Sequence, residues 1–355
     1  MPNSNLPGTI LSVQVLRFVA ALSVVLFHAH NALVSQLPGH APDMIDHAFK
    51  VGASGVHVFF VISGFVMVYT SWRGQLTAGR FLSRRLIRIY PIYWVVAATY
   101  LGLHIILQSP YSLTVRQVAG AALLLPGDSP RIIGPGWTLS FEMYFYLCFA
   151  IALCAGLRRG IQLLTAFYVL SVGVGILLRP QSSAGHVLTD TLLLEFMAGA
   201  WLGYAFLRGL RVQPRIGGVM VFTSLLLFAS GFWLDYERLP SVVAWGIPSL
   251  MLVAGALALE RQLQSGIGRA AAKLGDSSYL LYLSHVLVID VLLATPISLI
   301  NRRESALLMA VGLATACAAI AAGGYEIVEL PLLRALKRGS LRPSKCKVRE
   351  SAAPQ

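Results

Sequence analysis

The feature that most constrains this chain is a series of apolar runs, each long enough to cross a lipid bilayer. About 20 helical residues span the roughly 30 Å of hydrocarbon in a membrane. Ten such runs lie near residues 10–33, 54–71, 89–107, 138–157, 161–178, 190–207, 216–234, 241–259, 279–297 and 306–328. The pattern predicts an all-α polytopic membrane protein with ten transmembrane helices. A composition that is 56% hydrophobic and 12% charged excludes an ordinary soluble domain.

The positions of the basic residues give an orientation, because Lys and Arg collect in cytoplasmic loops. Of the 28 Lys and Arg residues, 20 lie in alternate loops and the C-terminal tail, and seven lie in the loops of the other side. This split predicts that both the N- and the C-terminus are cytoplasmic. The net charge of +13 is therefore a topological signal. A nucleic-acid partner is not expected, since such a protein would gather its basic residues on one soluble face.

Composition along the chain predicts one transmembrane domain, residues 1–333, and a basic, disordered cytoplasmic tail, residues 334–355. The N-terminal segment lacks the basic stretch and cleavage site of a signal peptide, so the first apolar run should remain as a helix. The longest outer loop contains LTVRQVAGAALLLPG, residues 113–127, which is too short to span and predicts a re-entrant or surface helix. The four cysteines show no paired spacing, so neither a disulfide framework nor a metal site is expected.

The first predicted helix carries polar groups that hydrocarbon penalises by a few kcal/mol each. Arg17 and His28 are eleven residues apart, which puts them within about 20° of one helix face and about 16.5 Å apart along the axis. This face has a cation near the inner end and an imidazole near the outer end. Two interpretations remain open. Arg17 extends to the lipid headgroups while His28 bonds to a neighbouring helix, or both residues belong to a functional site.

The stretch GWTLSFEMYFY, residues 136–146, places Glu142 about five residues below the outer surface, which is also the depth expected for His28. A carboxylate beside an imidazole fixes its tautomer and strengthens it as a general base. The alternative is that Glu142 is hydrogen-bonded to the tyrosines around it.

The stretch RFLSRRLIRIYPIYW, residues 80–94, gathers Arg84, Arg85 and Arg88 at the predicted cytoplasmic face. Their guanidinium groups are suited to docking a phosphorylated cytosolic compound, although such a cluster also serves as a pure orientation signal. SSYLLYLSHVLVID places His285 about two turns into the ninth predicted helix, at a depth nearer these arginines than His28.

The stretch GASGVHVFFVISGFVM, residues 52–67, places His57 near the outer end of the second predicted helix. Ser63 and Gly64 fall mid-membrane, where small residues let a helix or a ligand chain approach closely.

Taken together, five stretches resemble the acyltransferase-3 family of bacterial integral membrane O-acyltransferases. In chain order they are Arg17 and His28 with ten residues between them, GVHVFFVISGF, RLIR within SRRLIRIYPIYW, GWTLSFEMYFY and SYLLYLSH. The amino-acid sequences of the second and fourth stretches are most similar to those of members that acetylate or succinylate exopolysaccharide.

The resemblance implies that an acyl group moves from cytosolic acyl-CoA to a carbohydrate hydroxyl at the outer side of the inner membrane. It implies that His28 is the catalytic histidine, and it gives functional roles to Arg17, Arg85, Arg88 and Glu142. The chain departs from the family at His57, where the family usually has an acidic residue. Either Glu142 alone then orients the catalytic histidine, or His57 plays another part.

The resulting hypothesis is a membrane O-acyltransferase in which His28 acts as general base and Glu142 as its partner. The donor-binding candidates are Arg17, Arg84, Arg85, Arg88 and His285. Acyl-CoA, in the simplest case acetyl-CoA, is expected as donor substrate rather than as a permanently bound cofactor, with a free or lipid-linked carbohydrate as acceptor. Direct attack and a covalent acyl-enzyme both remain open.

The alternative from another class is a transporter or flippase for a lipid-linked sugar, since charges within a membrane also mark substrate pathways. Two related halves, common in such transporters, are not evident in the sequence. Both hypotheses place the protein in the bacterial inner membrane as a multi-pass protein in contact with lipid.

Overall fold

All the regular structure that the computed structural model describes is helical. The described residues are 8–37, 44–106, 113–128, 132–231, 239–294 and 303–340. In chain order their α-helices are α1 Leu11–Val34, α2 Met44–Lys50, α3 Gly55–Gly74, α4 Ala78–Ile106, α5 Val115–Ala122, α6 Trp137–Leu153, α7 Leu157–Leu178, α8 Ser183–Thr189, α9 Leu192–Leu207, α10 Pro214–Ser230, α11 Ile247–Ala258, α12 Gly266–Asp276, α13 Ser278–Ala294, α14 Arg303–Gly324 and α15 Leu330–Ser340.

Six helical segments in the described part of the chain are long and apolar enough to cross a bilayer. They are Leu11–Val34, Met44–Gly74, Ala78–Ile106, Gly134–Leu153, Leu157–Leu178 and Ala306–Leu336. The pair α12 and α13, bent by 60°, makes a seventh if it counts as one span. The protein is therefore a multi-pass membrane protein. Each of the ten predicted segments overlaps a helix, but α9, α10 and α11 are shorter than a full span, so the count of ten and the orientation of the termini stay predictions.

Helix α1 lies at the centre of the bundle and packs against α3, α11, α12, α13 and α14. Its first turn is held by Glu260, whose carboxylate accepts hydrogen bonds from the backbone N–H groups of Leu11 and Ser12, each at 2.8 Å. A negative charge at this position stabilises a helix, because the backbone dipoles make its N-terminus positive. This contact with Glu260 fixes the position of α1 along its own axis, and with it the depth of Arg17 and His28 in the bundle.

Helices α3 and α9 make the most extensive helix contact in the described residues. A Cβ atom on Gly64 would overlap the backbone oxygen of Phe196, and one on Gly199 would overlap the backbone oxygen of Val61. Small residues allow this close approach, and van der Waals packing then holds the pair together in the absence of a hydrophobic driving force in lipid. The expectation that Gly64 permits close helix packing is confirmed.

The short apolar stretch of the outer loop forms α5, which begins with a capping box between Thr114 and Gln117. Its last carbonyl groups accept hydrogen bonds from Tyr93 and Trp94 of α4, at 2.8 and 2.9 Å. The sequence predicted a re-entrant or a surface helix here. The structure shows a short helix that lies against the side of α4.

The predicted tail begins inside a helix. Residues 334–340 belong to α15, and the rest of that prediction, residues 341–355, lies outside the described residues. The domain boundary at 333 therefore does not coincide with the end of a helix.

Candidate functional site

A cavity of about 120 Å³ lies among α1, α3, α4, α6 and α13. Its charged lining residues are Arg17, Arg85, Arg88 and Glu142, and its hydroxyl-bearing ones are Ser63, Thr138, Tyr146, Ser278, Tyr279 and Tyr282. We call it the arginine cavity. It is smaller than the roughly 300–1,000 Å³ of a pocket that encloses a drug-sized ligand.

Two of the three predicted arginines on α4 face this cavity. The helix begins at Ala78 instead of near residue 89, so the cluster is part of the helix itself. Arg85 donates to the Thr70 hydroxyl at 2.7 Å. Its guanidinium group lies over the ring of Tyr146, 5.8 Å from the ring centre. Arg84 is exposed and is not part of the lining. It therefore lies outside the arginine cavity, and its membership of the donor-binding group stays a prediction.

At the end of the cavity nearest the start of α1, Arg88 forms an ion pair with Glu329 at 3.2 Å. Glu329 is fully buried on the π-helical turn Tyr325–Glu329 and accepts no hydrogen bond from the described residues. Arg17 lies within electrostatic range of Arg88, Glu329 and Glu142. Such π-helical turns occur frequently at functional sites.

Glu142 is bound within the cavity and has no hydrogen bond to His28 among the described residues. Its carboxylate accepts hydrogen bonds from Ser63, at 3.0 Å, and from Tyr146. The expected pairing of Glu142 with His28 is therefore replaced by the alternative, a carboxylate held by neighbouring hydroxyls. Glu142 and His28 do not meet, although the sequence placed them at the same depth in the membrane. The side chain that contacts His28 comes from α13 instead.

That side chain is His285. The two imidazole rings have centroids 5.0 Å apart, and His28 also touches Phe27. The expected position of His285, near the arginines, is wrong. Helix α13 follows a 60° bend after α12, and Gly275 at the end of α12 already packs against the backbone of Gln14 on α1. His285 therefore lies deeper in the bundle than its distance from the loop indicates.

Tyr282 connects the histidine pair to the arginine cavity. Its ring lies 6.0 Å from that of His285 and 5.5 Å from that of Phe59. Its hydroxyl shares a 3.0 Å hydrogen bond with Thr138. Phe59 and Tyr282 line the cavity and His28 does not, so these two aromatic rings form the boundary between the cavity and the histidines.

His57 lies in a separate environment. Its Nδ1 donates to Glu195 of α9 at 2.8 Å, and its ring stacks on Trp245. Glu195 is buried, with 1% of its surface exposed. Sequence reasoning missed Glu195 and Glu329, although the signal was available. Each is a carboxylate within an apolar helical segment, where a charge is costly and therefore informative.

Comparison with known proteins agrees with the sequence motifs. The model of the acyltransferase-3 family, described as an acyltransferase domain, matches residues 10–324. The exopolysaccharide production protein ExoZ of Rhizobium meliloti is 33% identical over 309 residues, which cover 83% of this chain and 94% of ExoZ. The acyltransferase MdmB of Streptomyces mycarofaciens is 31% identical over 153 residues, 38% of this chain and 37% of MdmB.

No solved structure matches this chain significantly. The family match covers nearly all of the helical bundle, and it includes the arginine cavity and the histidine pair. The chain therefore belongs to the acyltransferase-3 family of integral membrane O-acyltransferases.

Proposed function

We propose that this enzyme takes an acyl group, in the simplest case acetyl, from cytosolic acyl-CoA and transfers it to a carbohydrate hydroxyl on the outer side of the bacterial inner membrane. The name of the relative ExoZ, an exopolysaccharide production protein, supports a polysaccharide or its lipid-linked precursor as acceptor. The orientation required is the predicted one, with ten crossings and both termini in the cytoplasm. The end of the bundle that holds the start of α1 is then the inner end.

The observation that carries the proposal is the group of three arginines that line the arginine cavity. Arg17, Arg85 and Arg88 line it, and Glu142 is the one carboxylate among its described lining residues. Outside the lining, Glu329 pairs with Arg88, and Asp276 lies within electrostatic range of Arg17 and Arg88. Gathering cations among membrane helices is costly. A bound anion would lower this cost, and the phosphate groups of a coenzyme A thioester are anions that approach from the inner end.

The guanidinium groups also have hydrogen-bond donors to spare. Each arginine has five N–H donors. Within the described residues, Arg17 donates one hydrogen bond, to Gln14 at 3.3 Å, and Arg85 donates one, to Thr70. The remaining donors suit the bidentate recognition of phosphate oxygens. In this proposal Glu142 has a different task from the one expected from sequence. Through Ser63 and Tyr146 it ties α3 to α6 in the cavity wall beside Arg85.

His28 is proposed as the general base. It is half-buried, turned into the bundle against His285, and makes no hydrogen bond within the described residues, so a ring nitrogen is available to an acceptor hydroxyl. As the hydroxyl loses its proton to His28, its oxygen attacks the thioester carbonyl. The C–S bond then breaks, and the thiolate of coenzyme A recovers the proton. General-base catalysis of this type contributes about 10²- to 10⁴-fold in rate.

One movement must come before this reaction. Phe59 and Tyr282 separate the arginine cavity from His28, so the pantetheine arm must displace these rings to bring the thioester to the imidazole. Aromatic side chains contribute large apolar contact areas, and the displaced rings can pack along the arm that replaces them.

The test uses membranes that contain the enzyme, radiolabelled acetyl-CoA and the polysaccharide of the host cell. Wild-type enzyme should place label in ester linkage on the polysaccharide. His28→Ala should lower the rate by about 10²-fold or more, with the folded protein present in unchanged amount. The matched control is His186→Ala, which removes the contact of the exposed His186 with Asp190 and should retain activity, because His186 lies outside the arginine cavity and the histidine pair.

Full activity of the His28→Ala enzyme would remove His28 from the mechanism. Labelling with another acyl-CoA but not with acetyl-CoA would change the donor and leave the site intact. Transport of unmodified sugar without label in the product would contradict the proposed reaction.

A further inference from the structure

We infer that His285 is the positioning residue for His28, an inference that rests on the proposed function of His28 as general base. The role follows from an imidazole pair, one member of which is locked by the backbone. It also replaces the orienting function that Glu142 was expected to perform.

The tautomer of His285 is fixed by its backbone contact. Nδ1 lies 2.8 Å from the carbonyl oxygen of Tyr282. A carbonyl oxygen accepts hydrogen bonds and never donates them, so Nδ1 carries the proton. In the neutral imidazole Nε2 then carries the lone pair. His285 can therefore act toward its surroundings as a hydrogen-bond acceptor in one defined direction.

This acceptor is buried and unused by the described residues. His285 is 1% exposed, and its Nε2 is a buried polar atom without a hydrogen-bond partner. Buried polar groups are nearly always paired, and an exception in a native structure calls for an explanation such as a catalytic role. The imidazole that lies against this ring is that of His28, with centroids 5.0 Å apart and planes inclined by 42°.

A small rotation of His28 would bring one of its N–H groups to Nε2 of His285. The other nitrogen of His28 would then be the lone-pair side and would be free for the acceptor hydroxyl. When His28 takes the hydroxyl proton it becomes an imidazolium, and its hydrogen bond to Nε2 becomes charge-assisted and stronger. The second histidine thus performs the task that a carboxylate performs in other general-base pairs.

The surroundings of His285 support a fixed ring. Its own backbone oxygen lies 3.9 Å from the thiol sulfur of Cys317 on α14. Tyr282, one turn earlier, contacts the ring and is itself bonded to Thr138 of α6. Residues of three helices therefore hold the acceptor in place, which is the preorganisation that an orienting residue needs.

The first arm of the test compares His285→Leu and His285→Gln in the labelled acetyl-CoA assay, with rates expressed per folded enzyme. His285→Leu should lower kcat by about 10- to 100-fold, a share of the general-base contribution, with the KM for acetyl-CoA unchanged within about twofold because the arginine cavity is intact. His285→Gln retains an acceptor oxygen and should recover part of the rate. An unchanged kcat in His285→Leu, or a KM effect without a kcat effect, would overturn the inference.

The second arm needs no substrate and separates this inference from the proposed reaction. Nitrogen-15 NMR of histidine-labelled, full-length protein in bilayers reports the tautomer of each ring. His28 should show one dominant tautomer in wild-type protein and a mixture in His285→Leu, whereas His186→Leu should leave the His28 signals unchanged. Identical His28 signals in wild type and His285→Leu would overturn the pairing, whatever acyl donor the enzyme uses.

Discussion

Two regions of the bundle bury charge, and they do so in opposite ways. His57 and Glu195 form a one-to-one pair near the start of α3, beside its close contact with α9, with Gly246 packed against the carboxylate. The arginine cavity instead has three arginines and one glutamate in its lining, and guanidinium N–H groups there have no acceptor among the described residues. A matched pair needs no further partner, which suits a structural role. The arginine cavity keeps donors for an anion, which suits the proposed binding of a phosphorylated donor. The ratio of cations to carboxylates in the lining thus distinguishes the two regions better than burial, which they share.

The largest expected effect comes from removing a cavity cation. Arg85→Ala should raise the KM for acyl-CoA by about 10²-fold or more, because truncating one member of a buried, hydrogen-bonded charge pair costs about 2–5 kcal/mol. Arg84→Ala, one residue earlier on the exposed side of α4, is the matched control and should change KM less than twofold. The measurement is donor-dependent initial rate in membranes. Equal effects of the two substitutions would mean that the cluster acts through overall charge and not through the cavity.

The next effect is on stability and belongs to the balanced pair. Glu195→Leu should destabilise the purified protein by about 1–3 kcal/mol, since it leaves the buried N–H of His57 without an acceptor. It should leave the KM of the remaining folded enzyme unchanged. Thermal unfolding in detergent gives the stability.

The control for this variant removes both partners. The double substitution His57→Phe and Glu195→Leu should recover much of the lost stability, because replacing both members of a buried pair by apolar groups is close to neutral. A large loss of turnover in the double variant at normal stability would instead make His57 a functional residue.

The smallest effect has the opposite sign. Glu329→Gln removes the negative charge that pairs with Arg88 and makes the surroundings of the arginine cavity more positive by one charge. If the ligand is an anion, the KM for acyl-CoA should fall by about three- to tenfold, in line with Coulomb interactions at the effective dielectric of protein sites. A rise in KM would indicate that Glu329 is needed mainly to position Arg88.

Properties encoded along single helices could be predicted from the sequence. The apolar runs placed the helices. The spacing of Arg17 and His28 was enough to put a cation near one end of α1 and an imidazole near the other, and the stretch RLIR placed Arg85 and Arg88 together. These features depend on helical geometry alone, which the sequence expresses directly.

Contacts between helices were less accessible. Matching depths suggested that Glu142 meets His28, but depth is one coordinate, and the contact also depends on which helices are neighbours and how each is rotated. His285 was misplaced because the bend between α12 and α13 changes the starting depth of α13. Glu195 and Glu329 find their partners through tertiary packing, and in a single sequence they stand out merely as acids in apolar segments.

The close contact of α3 and α9 at Gly64 and Gly199 has a consequence for how the proposed donor, which is larger than the arginine cavity, would enter. The backbones of α3 and α9 are in direct contact at Gly64 and Gly199. These two helices therefore form a rigid pair that cannot slide past each other without a steric collision. Widening must then come from the facing wall, where α4 contains Pro91 and α12 meets α13 at an angle. Helices bend at prolines and at helix breaks. The cavity should therefore open by a hinge motion of α4 and of the α12–α13 pair, while α3 and α9 stay in place.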